Sequence, residues 1–119
     1  MKKFKNEYKN EYKRLMNDCV CIIYEAQDFF ELFDSPVPRP VPLNYILKLY
    51  VRLNIMFDRL ITFFQNNYEK MSYIDKVHYD INDGAIQSLM MCLEKYLKHE
   101  HNIDMKGECK LWKTYWCNY

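Results

Sequence analysis

Glycine and proline are scarce in this chain, and their placement decides the fold class. Of 119 residues only Gly84 and Gly107 are glycine, and all four prolines fall between Pro36 and Pro42. The rest of the chain is therefore free of the strongest helix breaker. Two isolated glycines leave no phosphate-cradling loop, and neither a nucleophile elbow nor a metalloprotease pattern occurs. No Asn-x-Ser/Thr acceptor is present. Neither sign of charge dominates: 17 basic against 16 acidic residues give a net charge of +1, which points to no generic polyanion or polycation partner. Uncharged apolar runs are also missing. The longest apolar stretch, 43–64, contains Lys48, Arg52, Asp58 and Arg59, which argues against a membrane span. The basic start Met1-Lys2-Lys3 is not followed by an apolar h-region, so no signal peptide is visible. Five cysteines, an odd number, match no common disulfide framework, and an intracellular, reducing setting (cytoplasmic, or host cytoplasm or nucleus) is expected.

What is abundant is apolar and aromatic. Half the residues are hydrophobic, enough at this length for one core and one domain over 1–119. Tyr, Lys, Asn and Ile are used heavily, a bias that fits an AT-rich coding genome such as many viruses, phages and parasites have. As an expectation about origin it rests on codon usage alone.

The pattern of apolar residues is helical throughout. Over 3–33, Phe4, Tyr8, Tyr12, Leu15, Cys19, Ile22, Ile23, Ala26, Phe29, Phe30 and Phe33 recur at spacings of three and four, which predicts one long helix with a single buried face. A second helix is predicted over 43–67, with Ile46, Leu49, Leu53, Met56, Leu60 and Phe63 in one stripe. Leu43, Leu47, Tyr50, Phe57, Ile61 and Phe64 form a second stripe beside it. Only Lys48, Arg52 and Arg59 mark a plainly polar strip, as in the central helix of a bundle. Ser72 with Asp75 three residues on fits a capping box opening a third helix over 73–79. Asp80-Ile81-Asn82-Asp83-Gly84 reads as a break before a fourth helix over 84–100, buried through Ala85, Ile86, Leu89, Met90, Leu93, Tyr96 and Leu97. The alternative is one continuous helix kinked at Gly84. The tail 102–119 is interrupted by Gly107 and has room for one short helix. Alternating strand patterns are absent. The class is all-α, a compact bundle of four helices, or five with the tail.

Between the first two helices, residues 35–42 alternate proline with Ser, Val, Arg and Val. Every residue there is a proline or precedes one, so the segment is predicted to be a polyproline-II strap of about 25 Å. Prolines at every second position lack a Pro-x-x-Pro register, which disfavours SH3-type docking. The strap exceeds the usual helix–helix connection of about two to eight residues. It would let the first helix cross the bundle, or reach a second copy to give a homodimer through helix 1.

The first helix carries its charges against its dipole, with Lys2, Lys3, Lys5, Lys9, Lys13 and Arg14 early and Glu25, Asp28, Glu31 and Asp34 late. Either its polar face docks on oppositely charged segments, or its basic end receives an acidic partner. Aromatics interleave there (Tyr8 and Tyr12 beside Lys5 and Lys9), and the tail repeats the flavour around Trp112 and Trp116. Lysine for phosphate with aromatic rings for stacking is also how single-stranded nucleic acid is held, although arginine is scarce here. Metal binding is disfavoured, because Cys19/Cys21 and His99/His101 put ligands on opposite helix faces. Cys19 and Cys92 instead read as core residues, and Cys109 and Cys117 leave a tail disulfide open. Asp75 and His78 lie one turn apart and read as an ordinary surface pair rather than an acid–base couple.

The expectation is a non-enzymatic protein–protein interaction module, a small intracellular regulatory or accessory protein, with a host protein as partner if the source is viral or parasitic. Its contact residues are placed at Lys5, Tyr8, Lys9, Tyr12, Trp112 and Trp116. No catalytic residue, metal, cofactor or membrane is assigned. A nucleic-acid-binding helical protein using the same two ends is the alternative, and a self-associating structural protein the second.

Overall fold

Three long helices carry the fold in a computed structural model that describes residues 2–33 and 41–105, with side chains from 7–31 and 41–105. They are α1 (Lys2–Phe33), α2 (Leu43–Asn67) and α3 (Tyr73–His101), with a 3₁₀ turn at Tyr68–Lys70. Residues 35–40 of the polyproline strap expected over 35–42, and any helix in the tail beyond 105, lie outside the described residues. No described helix is long and apolar enough to cross a membrane.

α1 forms where its apolar period is 3.6, and it is held by packing rather than by its ends. Its first turn has no acid and its last no base, so the dipole opposes it. Leu15, Cys19, Ile22, Ala26 and Phe29 are buried along one stripe. Fully enclosed Cys19 and Ala26 are small, which lets a neighbouring backbone approach closely. α2 begins on Pro42, whose extended backbone (φ −57°, ψ 136°) offers its carbonyl to the Tyr45 and Ile46 N–H groups. From Ile46 to Leu53 it is buried almost all round, as the double stripe implied. Each such fully buried aliphatic side chain contributes roughly 1.5–3 kcal/mol. At its end the Asn67 side-chain amide donates to the Phe63 carbonyl at 2.9 Å, and the chain tightens into the 3₁₀ turn.

α3 opens on Ser72, whose Oγ accepts the Asp75 N–H at 3.1 Å. Contrary to the two-helix expectation over 73–79 and 84–100, it runs unbroken to His101. Among the described residues the bundle thus has three α-helices rather than four or five. Burial carries the helix through its polar middle. Tyr79, Ile86 and Leu93 are buried at intervals of seven, and holding that stripe outweighs the cost of Gly84, about 1 kcal/mol against alanine. The helix stops at Asn102, which takes the left-handed conformation (φ 54°, ψ 38°) that asparagine tolerates.

Register follows from the contacts. Asp18 meets Arg59 and Glu25 meets Arg52, so α1 and α2 are antiparallel. Tyr8 meets Asp75, Met16 meets Asn82 and Phe29 meets Tyr96, so α1 and α3 are parallel. Phe64 stacks on Tyr79, and the Tyr50 hydroxyl donates to Glu94, so α2 and α3 are antiparallel. The chain runs up, down and up around one core. α1 packs on its own α2 and α3, and its charge pattern is met in part by the two arginines of α2.

Candidate functional site

Tyr8 and Tyr12 sit one turn apart on the same face of α1 and turn inward. The Tyr8 ring is buried, stacked at 6.0 Å on Tyr12 and at 5.8 Å on Phe63. Its hydroxyl donates to Asp75 Oδ2 at 2.9 Å, and the half-buried Tyr12 donates to the Asp75 carbonyl at 3.2 Å. Burial first, then the hydrogen bond and charge of Asp75, push the Tyr8 hydroxyl far above the ordinary tyrosine value. Burial and Asp75 raise Tyr12 as well. These rings are anchors between α1 and α3. The placement of Tyr8 on an exposed contact surface is therefore corrected, because Phe63 and Asp75 take both its ring and its hydroxyl. Lys9 is exposed, the side chain of Lys5 and both Trp112 and Trp116 lie outside the described residues, and His78 is exposed while Asp75 is engaged by Tyr8.

The lysines are one edge of a larger exposed face. On α1, Asp18 and Glu25 reach α2 from one side of the buried stripe, while Met16 reaches Asn82 of α3 from the other. At 100° per residue, Lys9, Lys13, Val20 and Tyr24 continue outward beyond Met16. On α3, Tyr96 and Asn82 face α1 and Glu94 faces α2, so Ile74 and Ile81 continue outward on the α1 side. Tyr24 is 63% exposed and Ile74 and Ile81 64% each, with Val20 also open. Two parallel helices thus show an exposed apolar strip with Lys9 and Lys13 at one end. Neither lysine makes an ion pair among the described residues. Ile74, Val20 and Tyr24 were missed because they lie off the main stripes. A search for a second period on the opposite side of each helix would have found them.

Behind this face Cys19, Tyr79 and Asp83 lie close enough to influence one another's charge. Cys19 is fully buried, and desolvation together with Asp83 pushes its thiol up to about 11, opposed by Arg59. Burial, Asp83 and Asp80 push Tyr79 up to about 12. The Asp83 carboxyl is itself raised, by burial first and then by Asp80, while Gln87 Nε2 donating to its Oδ2 at 2.8 Å pulls it down. Its Oδ1 is buried with no hydrogen-bond partner among the described residues. A high thiol pKa makes Cys19 a poor nucleophile and a packing residue. Cys92, expected in the core, is exposed on α3, because the stripe passes through Leu89, Leu93 and Tyr96 instead.

A groove of about 550 Å³ runs between α1 and α2, lined by Glu11, Arg14, Asp58, Arg59 and Thr62 among others. Its charges are mixed, and Arg59 is already paired with Asp18 at 3.1 Å. Among the described residues no group of three or more His, Cys, Asp or Glu side chains is placed to hold a metal ion. Cys109 and Cys117 lie outside them. Comparison with protein-family models, with curated proteins and with solved structures finds no match for this chain.

Proposed function

We propose that the protein is a non-enzymatic protein–protein interaction module, a small intracellular regulatory or accessory protein, and that its partner surface is the exposed α1–α3 face. One observation carries this reading: Val20 and Tyr24 of α1 and Ile74 and Ile81 of α3 are exposed on the same side of two parallel helices, away from α2. An amphipathic helix laid along such a strip buries its own apolar face against it, and Tyr24 is the kind of side chain that dominates binding energy. Lys9 and Lys13, which make no ion pair among the described residues, favour an acidic partner helix. The heavy use of Tyr, Lys, Asn and Ile, which fits an AT-rich coding genome, favours a viral, phage or parasite source, and so a host protein as that partner.

The test is site-specific photo-crosslinking from position 81 in extract of the native host, with the captured protein then titrated against Ile81→Asp and Tyr24→Ala. A loss of affinity of tenfold or more in either variant, with helical content unchanged, is the expected result. Equal affinity in both removes the face from function. If the captured species is nucleic acid and binding falls log-linearly and steeply with salt, the chain is a nucleic-acid-binding protein instead. If it is a second copy of the chain, the protein is self-associating.

A further inference from the structure

We propose, resting on the reading of the α1–α3 face as the partner surface, that the partner helix runs antiparallel to α1 and α3, with a basic start and an acidic end. Topology is the first ground. The chain runs up, down and up, and α2 lies against α1 and α3 with its direction opposed to both. The exposed strip is on the other side of the same parallel pair. A helix seated there in the opposed direction stands to α1 and α3 as α2 does. Its negative end then lies beside their positive starts, and its positive start beside their negative ends.

The path of the apolar strip is the second ground. Tyr8 with Asp75 and Met16 with Asn82 set α3 against α1 at offsets of 67 and 66 residues. Ile74 and Ile81 are therefore level with the turns of α1 that carry Lys9 and Lys13, while Val20 and Tyr24 lie further along. The strip is oblique, passing from Tyr24 and Val20 on α1 to Ile81 and Ile74 on α3 over about 25 Å. Charge along that path is the third ground. Lys9 and Lys13 flank it at the Ile74 end. At the other end, exposed Asp28 and Glu31 follow Tyr24 on α1, Glu31 about five turns beyond Lys13 on the same line. Lys9, Lys13 and Glu31 make no ion pair among the described residues. α1 has no acid in its first turn and no base in its last, so these side chains reinforce its dipole instead of cancelling it. Lys95 and His99 lie on α3 at the acidic end, off the oblique path. A second copy laid face to face and antiparallel brings that end of its own α3 over Ile74 and Ile81, so a different chain fits the strip better.

The probes are two synthetic amphipathic helical peptides of about 25 residues, enough to run from the level of Glu31 to that of Ile74. They share composition and apolar positions. One has its lysines first and its glutamates last, and the other is reversed. Titrated against the full chain, the lysine-first peptide is expected to bind about tenfold more tightly. A spin label on its C-terminus is expected to broaden the Lys9 and Lys13 amide signals, and one on its N-terminus that of Glu31. Combining Lys9→Glu with Lys13→Glu, both at exposed positions, is expected to abolish the preference with far-UV circular dichroism unchanged. Ile81→Asp is expected to weaken both peptides. Equal binding of the two, tighter binding of the reversed peptide, or broadening at the opposite ends overturns the inference, while the loss in Ile81→Asp leaves the face standing. Binding of neither peptide, or binding indifferent to Ile81→Asp, removes the face and the inference together. Self-association of the wild-type chain that Tyr24→Ala abolishes also overturns it, since a second copy then holds the strip.

Discussion

The Tyr8 hydroxyl donates to Asp75 Oδ2 at 2.9 Å, and the Asp75 N–H is held by Ser72 Oγ at 3.1 Å. One carboxylate-bearing residue thus belongs both to the cap of α3 and to the clamp that fixes the basic end of α1. The bond stands in for the helix-dipole support that α1 lacks. Tyr8→Phe keeps the ring stack on Phe63 and loses only the hydroxyl and its bond to a carboxylate, so it is expected to cost about 1.5–3 kcal/mol. Tyr8→Ala loses the ring as well and is expected to cost about 3–5 kcal/mol. Urea midpoints of the two variants check the ratio. Equal losses would mean that the ring contributes nothing beyond its hydroxyl, contrary to its burial.

Asp83 is the place where pH acts on stability. Its carboxyl is raised by burial and by Asp80, so in the window above the ordinary value of about 3.9 the folded protein holds a proton that the unfolded chain has released. The stability that Asp83 contributes is then complete below that value and falls as pH rises through the folded-state value. Once ionised, the carboxylate is half-buried and has no hydrogen-bond partner at Oδ1 among the described residues. Asp83→Asn cannot ionise and keeps an oxygen for Gln87. It is expected to be more stable than wild type at neutral pH, with the advantage shrinking as pH falls through the raised folded-state value and no longer changing below about 4. The variant also removes the Asp83 charge that raises Tyr79 and Cys19, so both are expected to titrate lower. Paired denaturation curves at acid and neutral pH measure the difference, and an advantage that is constant with pH would refute the assignment.

How far the fold could be read in advance depended on the range of each interaction. Leu15, Cys19, Ile22 and Phe29 declare α1 because the helical period is local, and the double stripe from Ile46 to Phe64 marks α2 as central for the same reason. The Ser72 cap and the stop at Asn67 are also local chemistry. Tyr8 was harder. Its partner Asp75 is 67 positions away, and a tyrosine beside lysines has the same local pattern whether the ring faces a partner or Phe63. The exposed strip of Val20, Tyr24, Ile74 and Ile81 follows from the same limit. Its residues are unremarkable singly, and only the parallel register of α1 and α3, fixed by Met16 with Asn82 and Phe29 with Tyr96, brings them onto one side.

Gly84 separates the two readings of α3 most sharply. A run of Asp80, Asn82, Asp83 and Gly84 has poor helix propensity, and taken alone it predicts a break. In the fold Gly84 is ordinary helix: it has no positive φ, and a Cβ built on it meets nothing within 4 Å. Glycine then brings no conformational benefit there and only adds freedom to the unfolded chain. Gly84→Ala is therefore expected to stabilise the protein by about 0.5–1 kcal/mol. Had Gly84 been a left-handed cap between two helices, the same substitution would destabilise by more than that. The sign of the change in urea midpoint is thus a direct measurement of whether residues 73–101 are one helix.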